Sequence, residues 1–336
     1  MKVVDWEHHY IPEPHFHSLG GVKGISPKSK EACIPNLMNG KFTIFLHDGL
    51  WDLDQHIEDM DDAGIDVAVL SYGSAGRTLD EAKAWNEFGA KAIKNYPGRM
   101  VALMPLQPVW GQPAFDEIDR AVNELGFGGV QISCQVREHI PLDAPELRPF
   151  YKKVTELDVP VFVHVSSAAK GFDALNAEWD SNITLVREYD LSAAVIRIIM
   201  GGVLEEFPTL KIVFSHFGGG VSAVWERVER YCTYWGPKFW GWDKDKAPIS
   251  RPPREYLDMI YFDMAGTEGG INGTKIALTT IKPERLVFGT DYPCEFQEGG
   301  EGMREYIKNV RALDLPQEQI DAMLGGNACR LLKINP

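Results

Sequence analysis

The sequence predicts a (β/α)8 barrel, a TIM barrel with long loops at its carboxyl-terminal face. Eight short apolar runs are each followed by a segment of helical periodicity, which is the pattern of a parallel sheet. No Gly-rich Gly-x-Gly-x-x-Gly motif follows any run, which disfavours an open dinucleotide-binding sheet. Eight such units in 336 residues favour a closed barrel. We therefore expect residues 1–336 to form one domain.

The first half of the chain supplies four strands and three long helices. Leu53, Ile57 and Met60 fall on one helical face. The predicted strands are Val3–Glu7, Ile65–Leu70, Met100–Met104 and Gly129–Ser133, and the predicted helices are Leu53–Ala63, Leu79–Asn95 and Ala114–Leu125.

The second half repeats the alternation and closes on helices. The predicted strands are Val161–Val165, Lys211–Ser215, Ile260–Asp263 and Leu286–Gly289. The predicted helices are Pro145–Leu157, Leu185–Leu204, Val221–Tyr231, Lys275–Ile281, Gly302–Ala312, Gln317–Leu324 and Ala328–Leu332.

Two long irregular segments, at about 11–51 and 233–254, interrupt this rhythm. In a barrel they would lie over the carboxyl-terminal face, where active sites form, and long loops of this kind usually bind ligands. The second segment is rich in Trp, which suits either the wall of an aromatic pocket or a subunit interface. We expect a homodimer or a higher homo-oligomer.

Composition excludes several partners. The net charge of −14 opposes binding to nucleic acid or to an anionic membrane surface. No apolar run approaches the ~20 residues that cross a bilayer. The five cysteines form no Cys-x-x-Cys pair and the chain opens without an apolar signal segment, so we expect a cytoplasmic protein.

Acidic and imidazole side chains stand at the ends of four predicted strands. Glu7 and His9 end the first, His164 lies in the fifth, His216 follows the sixth and Asp291 follows the eighth. Each alone is typical of a hydrogen-bonded core residue or a helix cap. In a barrel these strand ends converge on one mouth. Alternation also places Glu7 and His9 on the same side of their strand.

Four of these residues are a plausible ligand set for a single metal ion. The imidazoles of His9 and His164 and the carboxylates of Glu7 and Asp291 suit Zn²⁺ or Mn²⁺ and do not suit a soft Cu(I) or iron–sulfur site. Coordination positions would remain open for water or substrate. We therefore expect one catalytic divalent ion.

Three segments resemble a known family. They are MGGVLEEFPTLKIVFSHFGGG at Met200–Gly220, LVFGTDYP at Leu286–Pro293 and GNACRLL at Gly326–Leu332. They are similar to the metal-dependent amidohydrolase superfamily, in the branch of aminocarboxymuconate-semialdehyde decarboxylase and the phenolic-acid decarboxylases. The resemblance covers nearly the whole chain. The Glu-x-His of Glu7–His9 resembles the γ-resorcylate and related hydroxybenzoate decarboxylases, whereas most of the superfamily has His-x-His.

The resemblance implies roles for the same residues. It implies that Glu7, His9, His164 and Asp291 bind the metal and that His216 is an acid–base residue beside it. By the same resemblance, Asp291 delivers the proton and His216 tunes it or relays a proton through water.

The resemblance also bears on substrate binding at His47. The aminocarboxymuconate enzyme has an arginine just before its Trp-Asp pair, and His47 takes that place before Trp51–Asp52. A neutral imidazole cannot grip a carboxylate as a guanidinium does, which disfavours the aminocarboxymuconate substrate.

Two further residues are candidates for substrate contact. Arg251 could bind a substrate carboxylate across a dimer, as the resemblance implies, or it could pair with Asp243 or Asp245. Tyr72 follows the second strand and is expected to face the mouth.

The resemblance predicts a non-oxidative decarboxylase of a hydroxybenzoate-like or unsaturated carboxylic acid. A divalent ion would chelate and orient the acid and act as a Lewis acid. The same side chains also suit a metal-dependent hydrolase of C–C, ester or amide bonds. A third reading is a metal-stabilised binding protein without turnover.

Overall fold

Eight parallel strands follow one another around a single sheet. The structure, a computed structural model, describes residues 1–26, 33–35, 43–72, 78–136, 140–165, 181–235, 248–267, 270–296 and 299–336. Each strand pairs with the next in chain order, which confirms the predicted barrel. The strands are β1 Val4–His9, β2 Val67–Ser71, β3 Met100–Pro105, β4 Gly129–Ser133, β5 Val161–His164, β6 Ile212–Phe214, β7 Tyr261–Asp263 and β8 Leu286–Val287.

Backbone hydrogen bonds join β1 to the segment that follows β8. The amide of Trp6 donates to the carbonyl of Phe288 at 2.8 Å, and the amide of Asp291 donates to the carbonyl of Glu7 at 2.9 Å. The first and last strands are thus neighbours. Their carboxyl ends, which carry Glu7 and Asp291, lie side by side.

The helices lie between the strands, and two have the predicted bounds. Leu53–Ala63 and Leu79–Asn95 match the sequence, and side chains cap both: Asp52 accepts from the amide of Asp54 at 3.1 Å, and Thr78 accepts from that of Glu81 at 3.2 Å. The others are Glu13–Ser18, Gln112–Asn123, Arg148–Glu156, Arg187–Met200, Val203–Glu206, Trp225–Arg230, Pro253–Leu257, Ile271–Ala277, Gly300–Arg311, Gln317–Asp321 and Asn327–Leu332.

The other predicted helices were wrong in part of their extent, and two of them show the physical reason. The helix expected over Leu185–Leu204 ends at Met200, because Gly202 has a φ of 72° and redirects the chain. The helix expected over Lys275–Ile281 instead spans Ile271–Ala277. Its buried residues include Thr274, whereas Ile276 is exposed, so packing on the barrel overrode the apolar pattern.

The two long segments are only partly described. Residues 11–51 are not wholly irregular, since they hold the helix Glu13–Ser18 and an antiparallel pairing of Cys33–Pro35 with Thr43–Phe45. In the second segment, residues 236–247 lie outside the described residues, and Asp243 and Asp245 fall there. Within the described ranges, no helix combines the length and apolarity needed to cross a bilayer.

An apolar cluster closes the barrel below the strand ends. It contains Val4 and Trp6 from β1 and Phe162 from β5, all fully buried, and the rings of Trp6 and Phe162 meet edge to face at 6.3 Å. A second cluster fills the space between the sheet and the helices. Because this part of the interior is filled by apolar side chains, the predicted metal ligands meet above it, at the carboxyl ends of the strands.

Candidate metal and catalytic site

Three predicted ligands meet at the ends of β1 and β5. The Nε2 atom of His164 lies 3.1 Å from Oε1 of Glu7 and 3.3 Å from Nε2 of His9, and the His9–Glu7 distance is 3.6 Å. All three side chains are buried, and their donor atoms lie within 4.8 Å of one another. Ligands about 2.0–2.2 Å from one tetrahedral ion would be roughly 3.3–3.6 Å apart, so this spacing fits one ion.

The hydrogen bonds of His164 identify its metal-facing atom. Its Nδ1 lies 3.1 Å from the carbonyl of Val165, which can only accept, so Nδ1 carries the proton and Nε2 presents a lone pair. Both carboxylate oxygens of Glu7 are buried without a hydrogen-bond partner among the described residues. Two electron-rich atoms facing each other at 3.1 Å repel unless a proton or a metal ion lies between them, and the spacing of the three donors suits a metal ion. The donor set therefore fits a divalent ion.

Asp291 contacts this group through His9, from the other side of the barrel seam. Its Oδ1 lies 2.8 Å from Nε2 of His9, and its Oδ2 lies 3.7 Å from Nε2 of His216. Burial alone would raise the pKa of Asp291, but His9 and His216 lower it well below its usual value. Asp291 also forms a second cluster of possible ligands with His9 and Cys294.

His216 faces the same centre from the end of β6. Asp263 accepts from its amide at 2.8 Å, and the carboxylate of Glu188 lies 2.8 Å from its Nδ1. Its Nε2 then points inward, 3.7 Å from Glu7. Burial opposes the charged imidazole, but Glu188 and then Glu7 raise the pKa of His216 well above its ordinary value.

Two buried acids lie next to each other below the centre. Burial raises the pKa of Glu7 from 4.5 to about 7, and burial together with Glu7 raises the pKa of Asp263 well above its ordinary value. The negative charge of Asp291 adds to the rise in the pKa of Glu7, as the charge of Glu7 does for Asp263. A bound cation would reverse that penalty at Glu7.

A polar layer beneath the site holds β1 in place. Asp5 accepts from the amide of Thr290 at 2.9 Å and pairs with Nδ1 of His8 at 2.8 Å. The Nε2 of His8 reaches Nδ1 of His56 at 3.0 Å. His8 thus points away from Glu7 and His9, as the alternation along the strand predicts.

The predicted substrate-binding residues have different surroundings. His47 is buried, and burial lowers its pKa to about 4, so its ring is neutral at neutral pH. Tyr72 is buried, and its ring lies against Trp85 and 5.6 Å from that of His15.

Arg251 lies near the end of the second long segment, and its side chain contacts residues that follow this segment in the chain. Its guanidinium stacks on Tyr256 at 4.5 Å and approaches the sulfur of Met259 at 3.6 Å. Its contact with a substrate stays a prediction.

Three residues near the site were not predicted from the sequence: Asp263, Glu188 and Arg187. Asp263 ends β7, so the strand-end pattern that singled out His216 and Asp291 also applied to it. Glu188 and Arg187 carried no such signal. They lie near the site only because their helix packs against the turn after β6. This packing brings Glu188 to His216, which lies 28 positions later in the chain.

Comparisons with known proteins agree with this architecture. The amidohydrolase family profile matches residues 4–334. The chain is 25% identical to 2-amino-3-carboxymuconate-6-semialdehyde decarboxylase of Dictyostelium discoideum, over 99% of this chain and 92% of that protein. It is 30% identical to 2-keto-4-carboxy-3-hexenedioate hydratase of Sphingobium, over 80% of this chain and 78% of the other.

A solved structure shares the fold. The dihydroxybenzoic acid decarboxylase of Polaromonas, crystallised with manganese and 2-nitroresorcinol, superposes with a TM-score of 0.79 at 22% identity. The superposition covers 100% of this chain and 98% of the other. Together with the profile match along almost the entire sequence, the barrel identifies this chain as a member of the amidohydrolase family.

Proposed function

We propose that the protein is a metal-dependent, non-oxidative decarboxylase of a hydroxybenzoate-like or unsaturated carboxylic acid. The observation that carries the proposal is the unpartnered Glu7 carboxylate facing the lone pair of His164, with Asp291 and His216 at the same centre. Two imidazoles, two carboxylates and an adjoining acid–base histidine suit this reaction.

Glu7, His9, His164 and Asp291 would hold one Zn²⁺ or Mn²⁺ ion. When bound, such an ion supplies Lewis-acid polarisation and a template for a phenolate or carboxylate oxygen. Strand β1 holds Glu7 and His9 in register. The hydroxyl oxygen of Ser71 lies 3.1 Å from Nδ1 of His9 and supports the imidazole ring. The manganese in the Polaromonas decarboxylase supports the choice of a hard or borderline ion.

Asp291 and His216 would move the proton that replaces the departing carboxylate. Glu188 accepts from Nδ1 of His216, so Nε2 faces the site. The proton goes to the ring or alkene carbon, the C–C bond electrons return to that carbon, and CO₂ leaves. General acid–base help of this kind contributes about 10²–10⁴-fold.

The test is product analysis on the purified, metal-loaded protein. The panel contains 2,6-dihydroxybenzoate, 5-carboxyvanillate and an unsaturated dicarboxylic acid, with CO₂ and the organic product measured together. Release of CO₂ with an equal amount of the decarboxylated product supports the proposal. Metal-loaded protein that releases no CO₂ from any of the acids overturns it.

The same assay separates two other reactions. The 30% identity to a hydratase favours addition of water to an unsaturated acid as the second candidate. That reaction gives one product heavier by a water molecule. Hydrolysis of a C–C, ester or amide bond gives two organic fragments without CO₂.

Assembly and location stay predictions. We propose a homodimer or a higher homo-oligomer, which light scattering of the purified protein would detect, and a cytoplasmic location. Several large apolar side chains are exposed among the described residues, as a subunit interface requires: Leu185, Tyr189, Val224, Tyr234 and Trp235.

A further inference from the structure

We propose that Arg187 binds a carboxylate of the substrate other than the group held at the metal centre, so that the substrate is a dicarboxylic acid. This inference rests on the proposed function, since it assigns a partner for substrate at the same site. The proposed role of Arg187 is to recognise the substrate, and Arg187 takes no part in making or breaking covalent bonds.

The helix that carries Arg187 is docked on the turn that carries His216. The hydroxyl of Ser192 donates to the carbonyls of Gly218 at 3.0 Å and Gly219 at 2.9 Å. The turn approaches so closely that a Cβ on Gly219 would lie 1.8 Å from the carbonyl oxygen of Glu188. These contacts fix the helix start beside the site, with Arg187 one residue before Glu188.

The charge of Arg187 acts on three sides of the centre. It adds to the lowering of the pKa of His164, after burial, and lowers that of Glu188, after His216. It also acts on Cys294, in the turn after Asp291. The neighbouring Glu188 contacts His216 at 2.8 Å, which places Arg187 near the mouth of the barrel, in keeping with the reach of its charge.

Arg187 lacks the partner that comparable arginines have. Its Nε is buried without a hydrogen-bond partner, and no acid among the described residues forms an ion pair with it. By contrast, Arg197 on the same helix pairs with Asp143 at 2.6 Å, and Arg120 pairs with Glu117 at 2.7 Å. The adjacent Glu188 is already bound to His216.

A buried guanidinium nitrogen without an acceptor is costly, and a planar carboxylate can bind Nε together with a terminal nitrogen. The chain carries a net charge of −14, so acidic side chains are abundant. The absence of a carboxylate partner for Arg187 among the described residues therefore has another reason. The substrate can supply the missing acceptor. His47, neutral at neutral pH, offers no competing cation.

Binding of unreactive acids tests the inference apart from turnover. The probes are benzoate and the three benzenedicarboxylates, phthalate, isophthalate and terephthalate, titrated calorimetrically into Mn²⁺-loaded protein. We expect at least one dicarboxylate to bind roughly 10-fold more tightly than benzoate, as a charged hydrogen bond would give. Arg187→Met should remove this preference, and Arg187→Lys should keep part of it. Arg197→Met, on the same helix, should retain it.

Metal content and melting temperature accompany each titration, so that loss of the ion or of the fold is recognised. Equal binding of benzoate and all three dicarboxylates to the wild type would overturn the inference. Retention of the preference by a folded, metal-loaded Arg187→Met protein would overturn it as well. A dicarboxylate preference that depends on Arg187, in a protein releasing no CO₂, would uphold Arg187 as a carboxylate partner while refuting the decarboxylase.

Discussion

His216 and Asp291 both adopt left-handed backbone conformations, with φ of 50° and 58°. Each costs about 1–2 kcal/mol for a residue with a Cβ, and the cost is offset by bonds at the same amides. Asp263 accepts from the amide of His216, and the carbonyl of Glu7 accepts from that of Asp291. Strain of this kind collects at functional sites because a side chain must be aimed where a relaxed strand end would not aim it.

At the same scale, His164→Ala should lose the metal ion. The variant removes the Nε2 lone pair and leaves Glu7 facing a gap, so we expect affinity to fall by at least about 100-fold. Elemental analysis after dialysis measures the occupancy, with His17→Ala, at an exposed position, as the control. Full occupancy in His164→Ala would remove His164 from the ligand set.

Asp291→Asn should abolish turnover and preserve the fold. Asparagine has nearly the same size and tolerates positive φ, but it lacks the charge that lies between His9 and His216. We expect kcat to fall by at least about 100-fold, measured as CO₂ release, with an unchanged circular dichroism spectrum. A variant as active as the wild type would exclude Asp291 from proton transfer.

At the scale of elements, one interface positions the catalytic histidine. The turn His216–Gly220 lies against the first turns of helix Arg187–Met200, where Glu188 reaches His216 and Ser192 reaches the turn carbonyls. Neither element forms this site alone. The orientation of His216 therefore depends on how closely the helix and the turn approach.

Gly219→Ala and Gly220→Ala form a matched pair for this interface. Both glycines have positive φ, 65° and 74°, but a Cβ on Gly220 would meet nothing within 4 Å, whereas Gly219 has no room. We expect about 1 kcal/mol of destabilisation for Gly220→Ala, and at least about 2 kcal/mol more for Gly219→Ala. Urea unfolding measures both. Equal losses would show that the helix does not press on the turn.

At the scale of the whole molecule, buried neutral histidines make the fold sensitive to acid. Folded His47 takes up a proton near pH 4, whereas the unfolded chain does so near pH 6.5. Between these values the unfolded state binds more protons, so the free energy of unfolding falls as the pH falls. Going from pH 8 to pH 5, His47 alone should remove about 2 kcal/mol.

His47→Gln should make the protein less sensitive to acid. The comparison of variant with wild type isolates His47, because the other titrating groups are shared. Urea unfolding at pH 8 and at pH 5 measures how much stability each protein loses between the two pH values. Identical losses of stability in the two proteins would contradict the lowered pKa of His47.

The sequence by itself determined the barrel, because eight apolar runs alternating with amphipathic segments can bury their faces in few other ways. It also determined which chemical groups stand at the strand ends, including Glu7, His9 and Asp291, since a parallel barrel brings those ends together. Local pattern even fixed the bounds of Leu53–Ala63, whose cap at Asp52 lies beside it in sequence.

Only the tertiary structure decided what surrounds those groups. Glu188 and Arg187 reach the site through the packing of a helix on a glycine turn, and the shift of Ile271–Ala277 follows from burial against the barrel. No local pattern encodes such contacts, because the partners are far apart in the chain and meet only when the core closes. Spatial packing thus raised the pKa of His216 and left the Nε of Arg187 without an acceptor among the described residues.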